Sequence, residues 1–317
     1  MKKEIGGYLE FEHFTGKEYY PDLYKVNLGR TALLWLLESH GCKKILLPYF
    51  LCDSVIDVCK NIEVDFYALD ETLRPILSRP HGLEEGEWLY LVSYYGQLTD
   101  ERIKEYKETY DRIIVDHTHA FFQKPVPGVD TLYSCRKFFG LCDGAYISTN
   151  ITLTGEKPLD ISHKRMSHVL GRYEEDASTY YQQMLDNAST YHQAEIRQMS
   201  RLTENLLRAI DYEYVKSRRE ENYRILKEAL PSDNPFTQYL PEGPFAYPFY
   251  CENGIQVRKA LAAKKIFVPT NWSNVLKNMP ESSLEYQWAA NILPLPCDRR
   301  YGEEEMLFMA EVIKSLT

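Results

Sequence analysis

Apolar positions in the first half of the chain come in short continuous runs bounded by charged or turn-forming residues. Lys43-Lys-Ile-Leu-Leu-Pro48, Val64-Asp-Phe-Tyr-Ala-Leu69, Trp88-Leu-Tyr-Leu-Val-Ser-Tyr-Tyr-Gly96 and Arg112-Ile-Ile-Val-Asp116 are the clearest. Such runs predict strands buried on both faces, and Ala145-Tyr-Ile-Ser148 adds a further strand. Segments of helical period lie between them: Leu28 to Leu37, a stretch capped near Asp53 or Ser54, and the charged amphipathic run from Thr99 to Tyr110. Strands alternating with helices in this rhythm predict βαβ units and an α/β fold with a mainly parallel sheet.

Beyond Ser148 the pattern changes. Residues 174–230 hold almost no Gly or Pro and are rich in Glu, Gln, Arg and Leu, which predicts long helices broken near Asp211. Residues 231–248 are punctuated by Pro, Gly and Ser and read as a connection. A smaller α/β unit is predicted after it, with strands at 246–251, 266–268 and 292–296 and helices at 255–264 and 303–316. The expected organisation is a large domain over residues 1–212 and a small one over 213–317.

Asp116 ends one of the buried runs, and ligands of open parallel sheets bind beyond the carboxyl ends of the strands. Downstream, Tyr133-Ser-Cys-Arg-Lys-Phe-Phe-Gly140 offers Lys137, an amine next to Arg136 and followed by two aromatic rings. Desolvation and a neighbouring cation both lower an amine's pKa toward the neutral nucleophile. Pyridoxal phosphate chemistry asks for such a lysine, a carboxylate on the ring nitrogen and donors for the phosphate. Lys137, Asp116, and Ser134 with Arg136 fill those roles; the plain alternative is an Asp capping a turn and a solvated Lys.

Gly29-Arg-Thr31 stands directly before the first apolar helix. A glycine turn opening a helix presents free N–H groups and the positive end of the helix dipole to an anion, and Thr31 adds a hydroxyl. Thr31 as N-cap of a core helix without a ligand is the competing reading. Tyr49 and Phe50 are placed to line a pocket, while Tyr94, Tyr95, Tyr180, Tyr181 and Asn271-Trp272 divide between a sugar site and ordinary packing. Arg218-Arg219 followed by Glu220-Glu221 reads as a solvated helix face.

Composition narrows the class. With 44% hydrophobic and 26% charged residues over 317 positions, the chain has the make-up of a globular protein large enough for about two domains. A net charge of -9 argues against nucleic-acid binding. The apolar stretch at 45–52 is too short to span a bilayer, and Met1 to Glu10 lacks the apolar segment of a secretory signal. Seven scattered cysteines without C-x-x-C spacing fit free thiols, and a cytoplasmic location is expected.

Read in order, Leu28-Gly-Arg-Thr-Ala-Leu33, Leu47-Pro-Tyr-Phe-Leu-Cys-Asp53, Val92-Ser-Tyr-Tyr-Gly96, Ile114-Val-Asp-His-Thr-His-Ala120, Ser134-Cys-Arg-Lys137, Asp143-Gly144, Ser200-Arg-Leu-Thr-Glu-Asn-Leu-Leu207 and Leu293-Pro-Leu-Pro296 run through most of the chain. In this order and spacing the chain resembles the DegT/DnrJ/EryC1/StrS family, the sugar aminotransferase-like branch of fold-type-I pyridoxal phosphate enzymes. The resemblance implies a large domain with a seven-stranded, mainly parallel sheet between helices. It implies that Lys137 carries the cofactor as a Schiff base, that Asp116 pairs with the pyridinium nitrogen, and that His119 lies near the ring oxygen. Gly29, Arg30 and Thr31 would meet the phosphate through the loop backbone and the Thr31 hydroxyl, with Ser134 beside them. A homodimer with sites at the subunit boundary is implied as well. The chain departs from the family in carrying Arg30 within the small-residue loop, a short Ser134-to-Lys137 spacing, Cys52 where a ring-stacking aromatic is common, and Met199 where an Asn often reaches the partner subunit.

The leading expectation is therefore an aminotransferase that moves an amino group from an amino acid such as glutamate to a keto-sugar carried on a nucleotide. Two alternatives stand beside it. One is a metal-dependent hydrolase with Asp116, His117 and His119 as ligands on alternate strand positions. The other is the same fold kept as a binding or regulatory module without catalysis.

Overall fold

The computed structural model describes residues 5–77, 79, 82–192 and 195–317. The start of the N-terminal segment, residues 1–4, and positions 193–194 of the predicted helical stretch lie outside them. The main sheet is built from β1 (Tyr24–Val26), β2 (Lys44–Pro48), β3 (Glu63–Leu69), β4 (Pro75–Ile76), β5 (Glu87–Val92), β6 (Ile113–Asp116), β7 (Asp130–Ser134) and β8 (Ala145–Ser148). Its order is β1-β8-β7-β6-β5-β2-β3-β4. The five central strands, from β7 across to β3, are parallel, and β8 runs antiparallel to both β7 and β1. This is the expected seven-stranded arrangement with one addition, the two-residue β4 paired antiparallel to the edge of β3.

Continuous apolar runs mark these strands because both faces of the sheet are covered. On one face Ile45, Leu47, Trp88, Tyr90, Ile114 and Leu132 pack beneath Leu33, Leu36 and Leu37 of α1 (Gly29–His40). On the other, Leu46, Leu89, Leu91, Ile113 and Val115 pack with Tyr67, Tyr106 and Phe236. Alternation along a strand sends successive side chains to opposite layers, so a polar residue within a run needs a partner in the layer it enters. The predicted strand over 88–96 ends at Val92, and residues 94–96 form a tight helical turn. β7 escapes the apolar-run reading because Asp130, Thr131 and Ser134 interrupt it. All five of its residues are buried, and Asp130 is matched by His40 at 2.6 Å.

The middle of the chain forms shorter helices than its composition suggests: Ser167–Glu174, Tyr181–Ser189 and Arg201–Leu207 precede the long Tyr212–Ala229. The break at Asp211 is where the sequence places it, for the Asp211 carboxylate caps the long helix by accepting the Tyr214 N–H at 3.0 Å. Beyond it, β9 (Tyr247–Tyr250) and β10 (Ile292–Leu295) make a two-stranded antiparallel sheet. Residues 266–268 do not join it as a third strand. Lys265 turns into the left-handed region, at φ 62°, and the Ile266 N–H closes the preceding helix onto the Leu261 carbonyl. Tyr223, Leu226, Tyr247, Leu261, Leu293, Met306 and Ile313 form a separate core around this small sheet.

Arg219 departs from the solvated-face expectation. Arg218 pairs with Glu221 at the surface, but Arg219 is 2% exposed and donates to the carbonyls of Pro244, Phe245 and Phe138. It ties the long helix to the segment that follows Lys137. No helix among the described residues is long and apolar enough to cross a membrane.

A second tie holds the chain a few residues further on. The buried Asp143 carboxylate accepts from the Ser200 N–H at 2.8 Å and its hydroxyl at 2.9 Å, and also from the Thr203 hydroxyl. Gly144, at φ +114°, lets this turn lie against the helix that Ser200 caps; a Cβ there would sit 2.9 Å from Thr203 Cγ2. Gly144→Ala is expected to destabilise the protein by about 1–3 kcal/mol, since both the backbone angle and the contact oppose a side chain. Chemical denaturation of the two proteins checks this; equal midpoints would contradict it.

Candidate active site

β6 delivers Asp116 to the carboxyl edge of the sheet, in the parallel pairing that sets Val92 and Leu132 beside it. The carboxylate is buried, at 6% exposure, and both oxygens have donors: the Tyr90 hydroxyl reaches Oδ2 at 2.6 Å and the Thr118 N–H reaches Oδ1 at 2.8 Å. Burial raises its pKa, and the hydrogen bonds from Thr118 and Tyr90 and the charge of Lys137 pull the other way. Burial wins, so a cationic or proton-donating partner would relieve this carboxylate.

Lys137 ends the short turn Cys135–Lys137 that follows the neighbouring strand β7. Water reaches its side chain, yet protein surrounds its amine closely enough that burial is the main force lowering its pKa. The amine and the Asp116 carboxylate act on each other electrostatically at the carboxyl edge of the sheet. Cys52 and Asp116 raise the amine's pKa, while Arg136 and Arg30 lower it, so four residues singled out in the sequence act on this one amine. Asp116, Lys137, Arg30 and Cys52 come together although they lie on four separate segments.

The loop before α1 completes one wall. A Cβ added to Gly29 would meet Ser134 Cβ at 3.8 Å and Thr118 Oγ1 at 4.0 Å, so the missing side chain leaves a small cradle between the helix start and the end of β7. Leu28, without a side-chain hydrogen bond, is the N-cap, so the N-cap reading of Thr31 does not hold. The Thr31 hydroxyl is fully buried and is taken up by Asn27 Oδ1 at 2.6 Å and the Leu28 carbonyl at 3.0 Å. It braces the turn, which leaves the backbone N–H groups of the loop to face a ligand. Arg30 turns toward Tyr191, donating to its carbonyl at 3.4 Å.

His119 lies within electrostatic reach of Lys137, stacked on Phe245 at 4.1 Å and against Trp272 at 5.5 Å. Its Nδ1 is buried without a hydrogen-bond partner. Tyr95 adjoins the same ring at 5.2 Å and accepts from Asn271 at 2.8 Å. Tyr95 and Trp272 both have positive φ, 50° and 58°, and such strain persists only where the surrounding structure enforces it. Tyr49 and Phe50 do not take the place of a stacking aromatic: Tyr49 stacks on Phe66, and Phe50 is buried against Trp272 and Tyr94.

The paired-histidine metal reading does not match the geometry. β6 ends at Asp116, so His117 and His119 lie in the turn beyond the strand rather than on alternate strand positions. His117 packs on Tyr133 while His119 faces Phe245, and no group of three or more His, Cys, Asp or Glu side chains among the described residues is arranged to hold a metal ion. Met199 is 1% exposed and packs into the core around Phe121 and Tyr133, so its side chain does not reach outward.

Residues that the sequence reading passed over complete the site: Tyr90, Thr118 and Phe245. Tyr90 was open to detection. It alternates with Val92, whose partner across the ladder is Asp116, so its hydroxyl falls on the carboxylate's face one diagonal step away.

No family model matches the chain, and no curated protein resembles it in sequence. Solved structures do resemble it. A DegT DnrJ EryC1 StrS aminotransferase from Brucella abortus superposes with a TM-score of 0.61 at 15% identity, over 93% of this chain and 85% of that one. The chain has the fold of these aminotransferases. The Helicobacter pylori aminotransferase PseC, involved in the biosynthesis of pseudoaminic acid, gives 0.62 at 13% identity over 92% and 85% of the two chains. The enzyme DesI, solved in the presence of its TDP-sugar product, gives 0.65 at 13% over 92% and 79%.

Burial holds the His117 imidazole down at about 3, with the Gln123 backbone opposing. The unfolded chain, titrating near 6.5, therefore binds the extra proton first as the medium is acidified. The stability contributed by neutral His117 is fully present above that value and is lost toward pH 3, at up to about 1.4 kcal/mol per pH unit. His117→Gln is expected to flatten the fall in stability below pH 6.5 in denaturation series. An unaltered slope would contradict the assignment.

Proposed function

We propose that the chain is a pyridoxal phosphate-dependent aminotransferase acting on a keto-sugar carried on a nucleotide, with an amino acid as donor. The observation that carries the proposal is the approach of Asp116, at the carboxyl edge of the sheet, and Lys137, on the turn after the neighbouring strand, closely enough that each shifts the other's titration. The cradle at Gly29 and the under-compensated Asp116 carboxylate fit the two ends of such a cofactor. When bound, pyridoxal phosphate supplies an aldehyde that condenses with amines and a ring that accepts electron density.

The chain's residues divide the work. Lys137 holds the aldehyde end, Asp116 the ring nitrogen, and the N–H groups of Gly29, Arg30 and Thr31 with the Ser134 hydroxyl hold the phosphate. Tyr90 and Thr118 position Asp116 and keep a share of it ionised in spite of its burial. The lowered pKa of Lys137 leaves more of its amine neutral at working pH, so it takes a proton at the substrate carbon and returns it. His119, held flat against Phe245 and near Trp272, would border the ring oxygen, and Cys52, which acts on Lys137, stands where members of the family it resembles commonly carry an aromatic.

The sugar-nucleotide substrate is supported by the likeness in fold to DesI, solved with its TDP-sugar product, and by the Tyr95, Asn271 and Trp272 cluster beside His119. The reading includes a large domain over 1–212 and a small one over 213–317, supported by the separate core drawn from Tyr223 to Leu316. It includes a homodimer, supported by the exposed Leu170, Tyr173, Tyr181 and Leu185, and a cytoplasmic location, supported by seven free cysteines.

Lys137→Ala is expected to abolish the visible absorbance of the cofactor-loaded protein and to lower transamination of keto-sugar nucleotides by about a thousand-fold or more. Unchanged absorbance together with unchanged turnover would end the proposal.

A further inference from the structure

Two guanidinium groups within electrostatic reach of Lys137 lack the carboxylates that surface arginines usually find. Arg30 lies on the first turn of α1 and Arg136 on the turn after β7, and both approach the one Tyr191 ring, at 6.0 and 4.1 Å from its centre. Tyr191 is a fixed platform: it is 2% exposed, its hydroxyl donates to the Cys142 carbonyl, and it accepts from Asn187 at 2.7 Å. Among the described residues no carboxylate pairs with either arginine. Arg30 makes its hydrogen bond to the Tyr191 carbonyl, and the buried Nε of Arg136 has no partner. Asp143, the carboxylate whose charge reaches Arg136, already accepts from Ser200 and Thr203.

Two like charges held against one ring repel each other, and an anion between them would relieve that repulsion. Chain connectivity brings both residues next to one candidate anion site: Arg30 directly follows Gly29, and Arg136 is two residues beyond Ser134, so their backbones flank the cradle between Gly29 and Ser134. The planar fork of an arginine matches a phosphate edge, and the start of a helix adds N–H donors from a third side.

We infer that Arg30 and Arg136 form a cationic clamp for the phosphate monoester of the cofactor, built from one chain and braced on Tyr191. The inference rests on the proposed function and sharpens it: affinity for the phosphate end comes from two guanidiniums more than from the hydroxyls of Thr31 and Ser134. It also gives the bulky Arg30 a purpose in a loop where a small residue is expected.

Titration of the full-length apoprotein with pyridoxal phosphate and, separately, with pyridoxal tests the clamp by absorbance. Arg136→Gln and Arg30→Gln are each expected to raise the dissociation constant for pyridoxal phosphate about ten-fold or more and to leave that for pyridoxal within about two-fold. Arg136→Lys should recover part of the loss. Inorganic phosphate should compete with pyridoxal phosphate on the unmodified protein, a readout that requires no variant to fold. Unchanged pyridoxal phosphate affinity in both Gln variants, equal losses for both ligands, or no competition by phosphate would overturn the clamp while the function stands. Failure of the unmodified protein to take up either aldehyde at Lys137 would instead overturn the proposed function, and the clamp with it.

Discussion

A carboxylate buried at the tip of a strand is the constraint on which this structure turns. Asp116 closes β6, a strand whose other residues are all apolar and inaccessible, and its charge has lost most of its water. Tyr90 and Thr118 return two hydrogen bonds, which is less than water offers an ionised carboxylate. The remaining deficit makes the strand tip a receptor for positive charge. Sheet order then decides what stands opposite: β7 lies next to β6, and the turn that leaves β7 carries Lys137 into the same cleft.

Several rigid supports keep that turn in place. Asp143 binds the chain after Lys137 to the helix capped by Ser200, Arg219 holds the Phe138 carbonyl from the long helix, and the Tyr191 ring backs Arg136. Each tie joins segments far apart in sequence, so the cleft forms only when the large sheet, the middle helices and the long helix have all packed. The cleft's charges divide accordingly. Asp116 and Cys52 favour the charged form of the Lys137 amine, while Arg136 and Arg30 disfavour it.

Much of this was legible in the sequence because buried parallel strands leave a simple trace. The runs ending at Pro48, Leu69 and Asp116 correspond to β2, β3 and β6 within about a residue, so Asp116 stands at the carboxyl end of its strand as the run implied. β7 was obscured by polar residues that find partners only in the folded state, such as Asp130 with His40. The segment at 266–268 has the composition of a strand but no neighbour to pair with, which local pattern cannot reveal. Within the site, Lys137 and Asp116 stood out by chemistry. Tyr90 did not, because a tyrosine in an apolar run reads as packing until the strand beside it is known. Thr31 went the other way: its hydroxyl suggested a ligand, and Asn27, four residues earlier, accepts its proton instead.

The central claim is that one particular amine among the chain's lysines meets the aldehyde. Borohydride reduction of the protein loaded with pyridoxal phosphate, followed by digestion and peptide mass mapping, measures this directly. The account predicts a single pyridoxyl-phosphate adduct, on the peptide that carries Lys137. Adducts spread over surface lysines, or a principal adduct at any other position, would contradict it.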